Sequence, residues 1–247
     1  MNDYPSSVDE DVDDMIANET EQANPDELVS KLHPDLFFRK NSVNLIIGRR
    51  GSGKTHLVLR EILKCVMLGF DEYTQLYYVS DKAHDDTVQK LQPLLEQYLD
   101  FYWVPTKDAS SLMSKLEIAK TRLDNSKISA ALNAQGMSRI PHTFILFDDC
   151  IGLFSKTNEL ARKLYQTRQS RITAFLLLQD TSGLNPSMKS NMDALILFGG
   201  FPKHKYSILF YQMPPVNLTF EEYAELETKD AVIIDFASNN VKFHYRH

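Results

Sequence analysis

Short apolar runs and stretches of helical periodicity alternate along most of the chain. Such runs are typical of buried strands when they are rich in β-branched and aromatic residues. The pattern predicts strands near Val43–Ile47, Gln75–Ser80, Thr143–Phe147, Ile172–Leu178 and Ala194–Phe198. It predicts helices over Lys54–Gly69, His84–Tyr98, Ala109–Leu123, Asn158–Arg168 and Pro186–Met192. This alternation favours an α/β fold, in which a mostly parallel sheet carries helices on both faces.

The alternation changes after Gly199 and Gly200. Three apolar runs follow, "YSILFYQM", "DAVIIDF" and "VKFHYRH", and they predict additional strands around a short helix at Thr219–Glu227. We expect these strands to extend one edge of the sheet in antiparallel fashion. The segment Asn125–Ile140 has few large apolar residues and predicts an exposed loop.

A glycine-rich loop directly follows the first predicted strand. Its sequence, GRRGSGKT, fits the phosphate-loop pattern G-x-x-x-x-G-K-[ST] and stands between a strand and a helix, as the pattern requires. Backbone N–H groups of such a loop surround the β-phosphate, and the helix N-terminus adds positive charge. We therefore predict that a nucleoside triphosphate binds to Gly48, Arg49, Arg50, Gly51, Ser52, Gly53, Lys54, Thr55 and His56. The structural alternative is a glycine-rich turn with a solvent-facing lysine.

Two residues of the loop and two later carboxylates have distinct predicted roles. Lys54 would bridge the β- and γ-phosphates, and Thr55 would place its hydroxyl on Mg²⁺. The run "TFILFDDC" ends a buried strand with Asp148, which would hold Mg²⁺ through its water shell, and Asp149. Asp149 is suited to orienting or deprotonating a water that attacks the γ-phosphate, which favours hydrolysis over transfer to a small molecule. A capped turn after the strand is the structural alternative.

Polar residues flank the predicted strand Ile172–Leu178 at both ends. Gln179 would emerge beside the γ-phosphate and could sense phosphate or position water, unless it merely ends the strand. Arg168 and Arg171 precede the strand at the opposite edge, too far from their own phosphate loop. In a ring, one of them could face the neighbouring subunit's nucleotide as an arginine finger. Helix-end salt bridges are the alternative for both.

Charge is distributed unevenly along the 247 residues, whose formal net charge is −6. Ten of the 33 acidic residues lie within Met1–Ser30, which has no lysine or arginine, so 23 acidic residues face 27 basic ones in the rest of the chain. The body is therefore mildly basic, at +4. We expect residues 1–30 to form a disordered acidic tail and residues 31–247 to form a single domain.

Cysteine content and hydropathy indicate the compartment. Cys65 and Cys150 are too few for a disulfide framework, which is typical of an intracellular protein with reduced thiols. Apolar runs of membrane-spanning length and a secretory signal are both lacking from the sequence, so we expect no membrane span.

Four sequence runs together resemble one family. In order and spacing, "GRRGSGKT", "ILFDDC", "TRQSRITAFLLLQD" and "NPSMKSNMDALILF" are similar to the viral genome-packaging ATPases of the FtsK–HerA superfamily, found in poxviruses, other large DNA viruses and virophages. The resemblance covers Lys40–Gly200. Arg168 stands four residues before Ile172, as the family arginine does, and Gln179 matches the family glutamine. The run Asn191–Ala194 matches the approach to the last core strand.

The sequence departs from the family pattern at two positions. The second Walker-B acid is often glutamate in the superfamily, whereas Asp149 is shorter by one methylene. Arg171 replaces a glycine that often precedes the glutamine-ended strand, so two arginines compete for the finger role.

The resemblance implies a fold, an activity and partners. It implies a P-loop NTPase domain of the RecA/ASCE type that uses ATP and Mg²⁺, forms a homo-oligomeric ring of five or six subunits, and translocates double-stranded DNA into a capsid. The capsid protein would be a further partner, and the host cytoplasm or the viral assembly site would be the location. Two alternatives stay open: a non-translocating NTPase switch or scaffold in virion assembly, and a nucleotide kinase, against which the pair Asp148 and Asp149 argues.

Overall fold

The computed structural model describes residues 37–39, 41–67, 74–82, 85–124, 142–156, 160, 163–164, 171–181, 184, 186–211, 213–236, 238 and 240–244. The strands are β1 (Val43–Ile47), β2 (Thr74–Val79), β3 (Asp100–Val104), β4 (His142–Asp148), β5 (Ile172–Leu178), β6 (Ala194–Phe198), β7 (Ala231–Asp235) and β8 (Asn240–His244). The helices are α1 (Lys54–Met67), α2 (Asp86–Leu95), α3 (Ala109–Asp124), α4 (Ile151–Lys156), α5 (Pro186–Ser190), α6 (Lys203–Phe210) and α7 (Phe220–Ala224), with a 3₁₀ turn at Thr106–Asp108.

All eight strands form one sheet in the order β3-β2-β4-β5-β1-β6-β7-β8. The first six strands of this order are parallel to one another. β7 and β8 continue the sheet in antiparallel pairing. The predicted α/β fold, a mostly parallel sheet with antiparallel C-terminal strands, is therefore confirmed. Because β5 lies between β1 and β4, the carboxyl ends of these three strands lie side by side at one edge.

The sheet separates two apolar cores, one on each face. Successive residues of β1 point to opposite faces, so Leu45 and Ile47 pack in one core and Ile46 in the other. Helices α1 and α2 contribute buried residues to the Ile46 side, and α3 to α7 contribute to the opposite side. This double coverage explains why β1, β4, β5 and β6 are buried along their whole length.

Most predicted elements agree with the structure, with small differences at their ends. The bounds of β1, β5 and β6 are as predicted, and those of β2 and β4 differ by one residue at each end. β3 and α4 were not predicted. The segments 1–30 and 125–140, and most of the predicted helix 158–168, lie outside the described residues.

One predicted strand is wrong. Most of the run "YSILFYQM" belongs to helix α6, which begins after Pro202 at its N-cap. Tyr206 and Leu209, three positions apart, are buried, whereas Ser207 and Ile208 between them are exposed. One-sided burial at this spacing suits a helix on the sheet face, and this packing overrides the β propensity of the aromatic and β-branched residues.

Candidate functional site

The glycine-rich loop connects β1 to α1 at the carboxyl edge of the parallel strands. The Gly48 N–H donates to the carbonyl of Leu178 at 3.1 Å, which joins the loop to the end of β5. Gly51 and Gly53 have φ angles of +77° and +98°, in the region that favours glycine. A Cβ atom on Gly48 would lie 2.5 Å from the Ser52 Oγ, so glycine is required at this close approach.

Lys54 folds back over this loop. Its Nζ donates to the carbonyl oxygens of Gly48 at 2.7 Å and Arg49 at 3.0 Å. Burial lowers the pKa of Lys54, and the Asp148 and Asp149 carboxylates oppose that shift. The loop therefore encloses a partly desolvated positive charge where the motif predicts phosphate.

The Ser52 hydroxyl is a second polar group inside the loop. Ser52 is fully buried, and within the described part of the chain its Oγ has no hydrogen-bond partner. A buried hydroxyl without a partner costs free energy unless a ligand satisfies it. The ammonium of Lys54 and this hydroxyl both fit a bound phosphate group.

Asp148 ends β4 with a buried, doubly anchored carboxylate. Its Oδ2 accepts hydrogen bonds from the Thr55 Oγ1 at 3.0 Å and from the Tyr78 hydroxyl at 2.6 Å. Burial, followed by the nearby Asp148 carboxylate, strongly raises the pKa of Tyr78, so the phenol stays a proton donor. Thr55 and Asp148 offer hydroxyl and carboxylate oxygens at one point, which is the donor set that Mg²⁺ prefers.

Asp149 is presented by an unusual backbone conformation. Its φ angle is +58°, and its N–H donates to the carbonyl of Leu177 at 3.1 Å. The Lys82 Nζ donates to Oδ2 at 2.7 Å, and the Gln179 Nε2 donates to Oδ1 at 3.3 Å. The hydrogen bond from Lys82 lowers the pKa of Asp149, against the opposing effect of burial. The carboxylate is thus ionised and aimed at the same edge as the loop.

The predicted site residues divide into three groups by position. Those brought to the carboxyl edge are the loop 48–55, Asp148, Asp149 and Gln179. Arg49 and Arg50 are exposed on the loop, with the Arg49 guanidinium carbon 5.8 Å from the Phe201 ring centroid, and His56 is half-buried in α1. Arg171 begins the turn into β5 at the opposite edge, with a φ angle of +54°. Arg168 lies outside the described residues.

Sequence reasoning missed Tyr78 and Lys82. Both belong to β2 or the turn after it, and β2 is the neighbour of β4 in the sheet. The signal was their position at the carboxyl end of a predicted parallel strand, where ligands bind in such sheets. That signal needs the strand order, which the apolar pattern does not contain.

Solved structures share this fold at low sequence identity. The DNA-packaging ATPase B204 from Sulfolobus turreted icosahedral virus aligns with a TM-score of 0.59 and 15% identity, over 84% of this chain and 98% of that chain. The genome-packaging NTPase B204 from Sulfolobus turreted icosahedral virus 2, in complex with AMPPCP, aligns with a TM-score of 0.56 and 16% identity, over 83% of this chain and 97% of that chain. No family model and no curated protein sequence matches the chain.

A bacterial ATPase domain has the same architecture. The cytoplasmic domain of the Thermomonospora curvata type VII secretion ATPase EccC aligns with a TM-score of 0.61 and 16% identity, over 82% of this chain and 25% of that chain. These similarities confirm the predicted P-loop NTPase fold. Among the described residues, no helix has both the length and the apolar character to cross a bilayer.

Proposed function

We propose that this chain is an ATP hydrolase that drives double-stranded DNA into a viral capsid as a homo-oligomeric ring of five or six subunits. One observation carries the hydrolase assignment: Lys54, Thr55, Asp148, Asp149 and Gln179 meet at the ends of β1, β4 and β5. This arrangement combines phosphate binding, metal-ligand oxygens and a water-activating group within one edge of the sheet.

Each group has a defined part in hydrolysis. Backbone N–H groups of the loop, Lys54 and the Ser52 hydroxyl bind the phosphates. Thr55 and Asp148 would hold Mg²⁺, which supplies positive charge against the phosphate oxygens. Asp149 takes a proton from the attacking water while the water oxygen bonds to the γ-phosphorus. The bond from the γ-phosphorus to the bridging oxygen breaks, and its electron pair stays with ADP.

Two features support DNA as the translocated polymer. Proteins named for DNA or genome packaging share the fold over nearly their whole chains. The body of the chain, residues 31–247, has a formal charge of +4, which suits contacts with phosphates along a channel. We assign these residues to one ATPase domain and residues 1–30 to a separate acidic tail. A capsid protein is the partner, and the host cytoplasm or a viral assembly site is the location.

The deciding experiment measures ATP hydrolysis with and without linear double-stranded DNA at increasing salt. We expect DNA to stimulate turnover and salt to weaken the stimulation, because each phosphate contact displaces counterions. Lys54→Ala should abolish turnover in both conditions, whereas Lys90→Ala, at an exposed position of α2, should not. A hydrolysis rate that does not change with DNA would favour the non-translocating switch or scaffold NTPase. Turnover that requires a small-molecule phosphate acceptor would favour the nucleotide kinase.

A second variant separates binding from chemistry. Asp149→Asn should retain Mg²⁺-dependent ATP binding but turn over about 10²–10⁴-fold more slowly, because the amide cannot accept the water proton. Asparagine tolerates the positive φ angle of this position, so the backbone stays as it is. Binding is measured with a fluorescent nucleotide and turnover by phosphate release. Normal turnover of Asp149→Asn would show that Asp149 is not the general base.

A further inference from the structure

Lys82 lies in the site without a role in the reaction described above. Its ammonium is 2.7 Å from the Asp149 Oδ2. A hydrogen bond from its own N–H to the Ser80 Oγ, at 3.1 Å, shapes the turn that follows β2. Because β2 and β4 are neighbouring parallel strands, this turn and Asp149 stand at the same edge of the sheet. Lys82 therefore reaches the candidate base from the strand next to it.

Lys82 also belongs to the cations of the phosphate site. The positive charge of Lys82 contributes to lowering the pKa of Lys54. The positive charge of Arg50 in turn acts to lower the pKa of Lys82. The hydrogen bond to Asp149 outweighs the repulsion and raises the pKa of Lys82. Lys82 is thus a third cation at the edge that carries Lys54 and Arg50 of the loop, and such a set suits a ligand with several negative charges.

The contact with Lys82 competes with water for the Asp149 carboxylate. Lys82 occupies Oδ2, and Gln179 approaches Oδ1 at 3.3 Å. A water that Asp149 is to deprotonate must donate to one of these two oxygens. A carboxylate without the Lys82 contact has more of its acceptor sites open to water, so hydrolysis should be favoured when Lys82 leaves Oδ2.

We propose that Lys82 exchanges between two anions: its ammonium leaves Asp149 for the terminal phosphate of a bound nucleoside triphosphate, and this releases the carboxylate for water. The inference rests on the proposed function and adds a sensor of the γ-phosphate to it. The Lys82 side chain is 53% exposed, so it has room to move. Water screens such an ion pair, so exchanging its partner costs little, and a terminal phosphate carries more charge than a carboxylate.

The test compares two nucleotides on Lys82→Met, which keeps the length of the side chain and removes its charge. We expect affinity for the β,γ-methylene analogue of ATP to fall about tenfold or more, since a charge-assisted contact is lost, while affinity for ADP stays unchanged. Lys82→Arg keeps the positive charge, so it should retain most of the affinity for the ATP analogue that Lys82→Met loses. Lys90→Met is the matched control, because Lys90 is an exposed lysine of a neighbouring helix. Fluorescence titration gives the affinities, and the thermal unfolding midpoint checks folding.

Other outcomes would overturn the exchange. An equal loss of affinity for ADP and the analogue would make Lys82 a general phosphate contact. Unchanged affinities with a lower turnover rate would limit Lys82 to positioning Asp149. Unchanged affinities and unchanged turnover would leave it no role. Turnover of the unaltered protein tests the proposed function separately. If the protein bound both nucleotides but did not hydrolyse ATP, the proposed function would be refuted, whereas a role of Lys82 in distinguishing the ATP analogue from ADP would not.

Discussion

At the scale of single residues, the site depends on how firmly Asp148 is held. Thr55 and Tyr78 both donate to the same oxygen of its carboxylate, and Tyr78 is itself fully buried. The Tyr78 ring packs edge-on against Trp103, with 4.9 Å between ring centroids. A partner of this kind fixes the orientation of a metal-binding carboxylate although it does not touch the metal. We therefore propose that Tyr78 positions the Asp148 carboxylate.

Removing only the Tyr78 hydroxyl tests this role. Tyr78→Phe keeps the ring contact with Trp103 and frees the Asp148 carboxylate to turn. We expect the Mg²⁺ concentration for half-maximal binding of a non-hydrolysable ATP analogue to rise about 10–100-fold, the usual cost of losing an outer-shell partner of a metal ligand. Binding without Mg²⁺ should change little. The measurement is a Mg²⁺ titration of fluorescent-nucleotide binding.

The matched control is Tyr102→Phe on β3. Tyr102 is 42% exposed and stacks on Tyr77, and this stacking survives the loss of a hydroxyl. Tyr102→Phe should leave the Mg²⁺ concentration for half-maximal binding unchanged. If Tyr78→Phe also left it unchanged while lowering thermal stability, Tyr78 would be a buried structural residue with no part in metal binding.

At the scale of elements, the local sequence predicts strand ends better than strand neighbours. The phosphate-loop pattern, the continuous apolar runs of β1, β4 and β5 and the polar residues after them together predicted the loop, Asp148, Asp149 and Gln179 as one group. Tyr78 and Lys82 could not be added, since their closeness to Asp148 and Asp149 depends on β2 pairing with β4. Pairing between distant segments is decided by tertiary packing, which one strand's composition does not encode.

The missed strand β3 and the misassigned helix α6 have the same cause. β3 is a five-residue run rich in aromatic residues, "DFYWV", and none of its residues is fully buried because it lies at an edge of the sheet. Helix α6 contains similar residue types, "KHKYSILF", but packs one side against the core. Aromatic and β-branched residues suit both structures, so the packing partner decides between them.

Helix α7 supports the phosphate loop through Tyr223. The Tyr223 hydroxyl donates to the carbonyl of Phe198 at 2.8 Å and accepts from the Phe201 N–H at 3.0 Å. Both contacts are buried, and the Phe201 ring lies beneath the Arg49 guanidinium of the loop. A capping box formed by Thr219 and the helix residue Glu222 fixes the start of α7.

Tyr223→Phe should destabilise this connection. The substitution leaves the Phe198 carbonyl and the Phe201 N–H buried without their partner, so we expect the free energy of unfolding to fall by about 1–3 kcal/mol. Chemical denaturation measures the loss. Tyr211→Phe provides the control, because Tyr211 is 69% exposed and its substitution should change stability little. Equal stability of the two variants would show that the backbone groups at the end of β6 find other partners.

At the scale of the whole molecule, Arg171 and the phosphate loop lie at opposite ends of β5. Gln179 follows β5 at the edge that carries the phosphate loop, and Arg171 precedes β5 at the opposite edge. Seven residues of strand span roughly 20 Å, which is longer than an arginine side chain. Arg168 stands three residues further back in the sequence. We propose that Arg168 serves the nucleotide of the neighbouring subunit in the ring.

Complementation between two inactive proteins tests this proposal. Arg168→Ala should still bind ATP and lose turnover by an amount approaching roughly 10³–10⁵-fold, as measured for other arginine fingers, and Lys54→Ala should lose nucleotide binding. In an equal mixture, about a quarter of the head-to-tail interfaces would join the intact loop of the first protein to the intact arginine of the second. Turnover should therefore reappear on mixing, up to a similar fraction of the unaltered ring.

The arginine at the start of β5 supplies the control for this mixing experiment. A second mixture, Arg171→Ala with Lys54→Ala, distinguishes the two arginines. Mixing should restore turnover only for the arginine that acts on the neighbouring subunit's nucleotide. Mixed assembly is verified by co-purification of differently tagged subunits. Without recovery in verified mixed rings, the trans arrangement fails. If Arg171→Ala is inactive alone and regains turnover on mixing, while Arg168→Ala keeps its own turnover, the proposed ring is retained and Arg171 is the arginine finger.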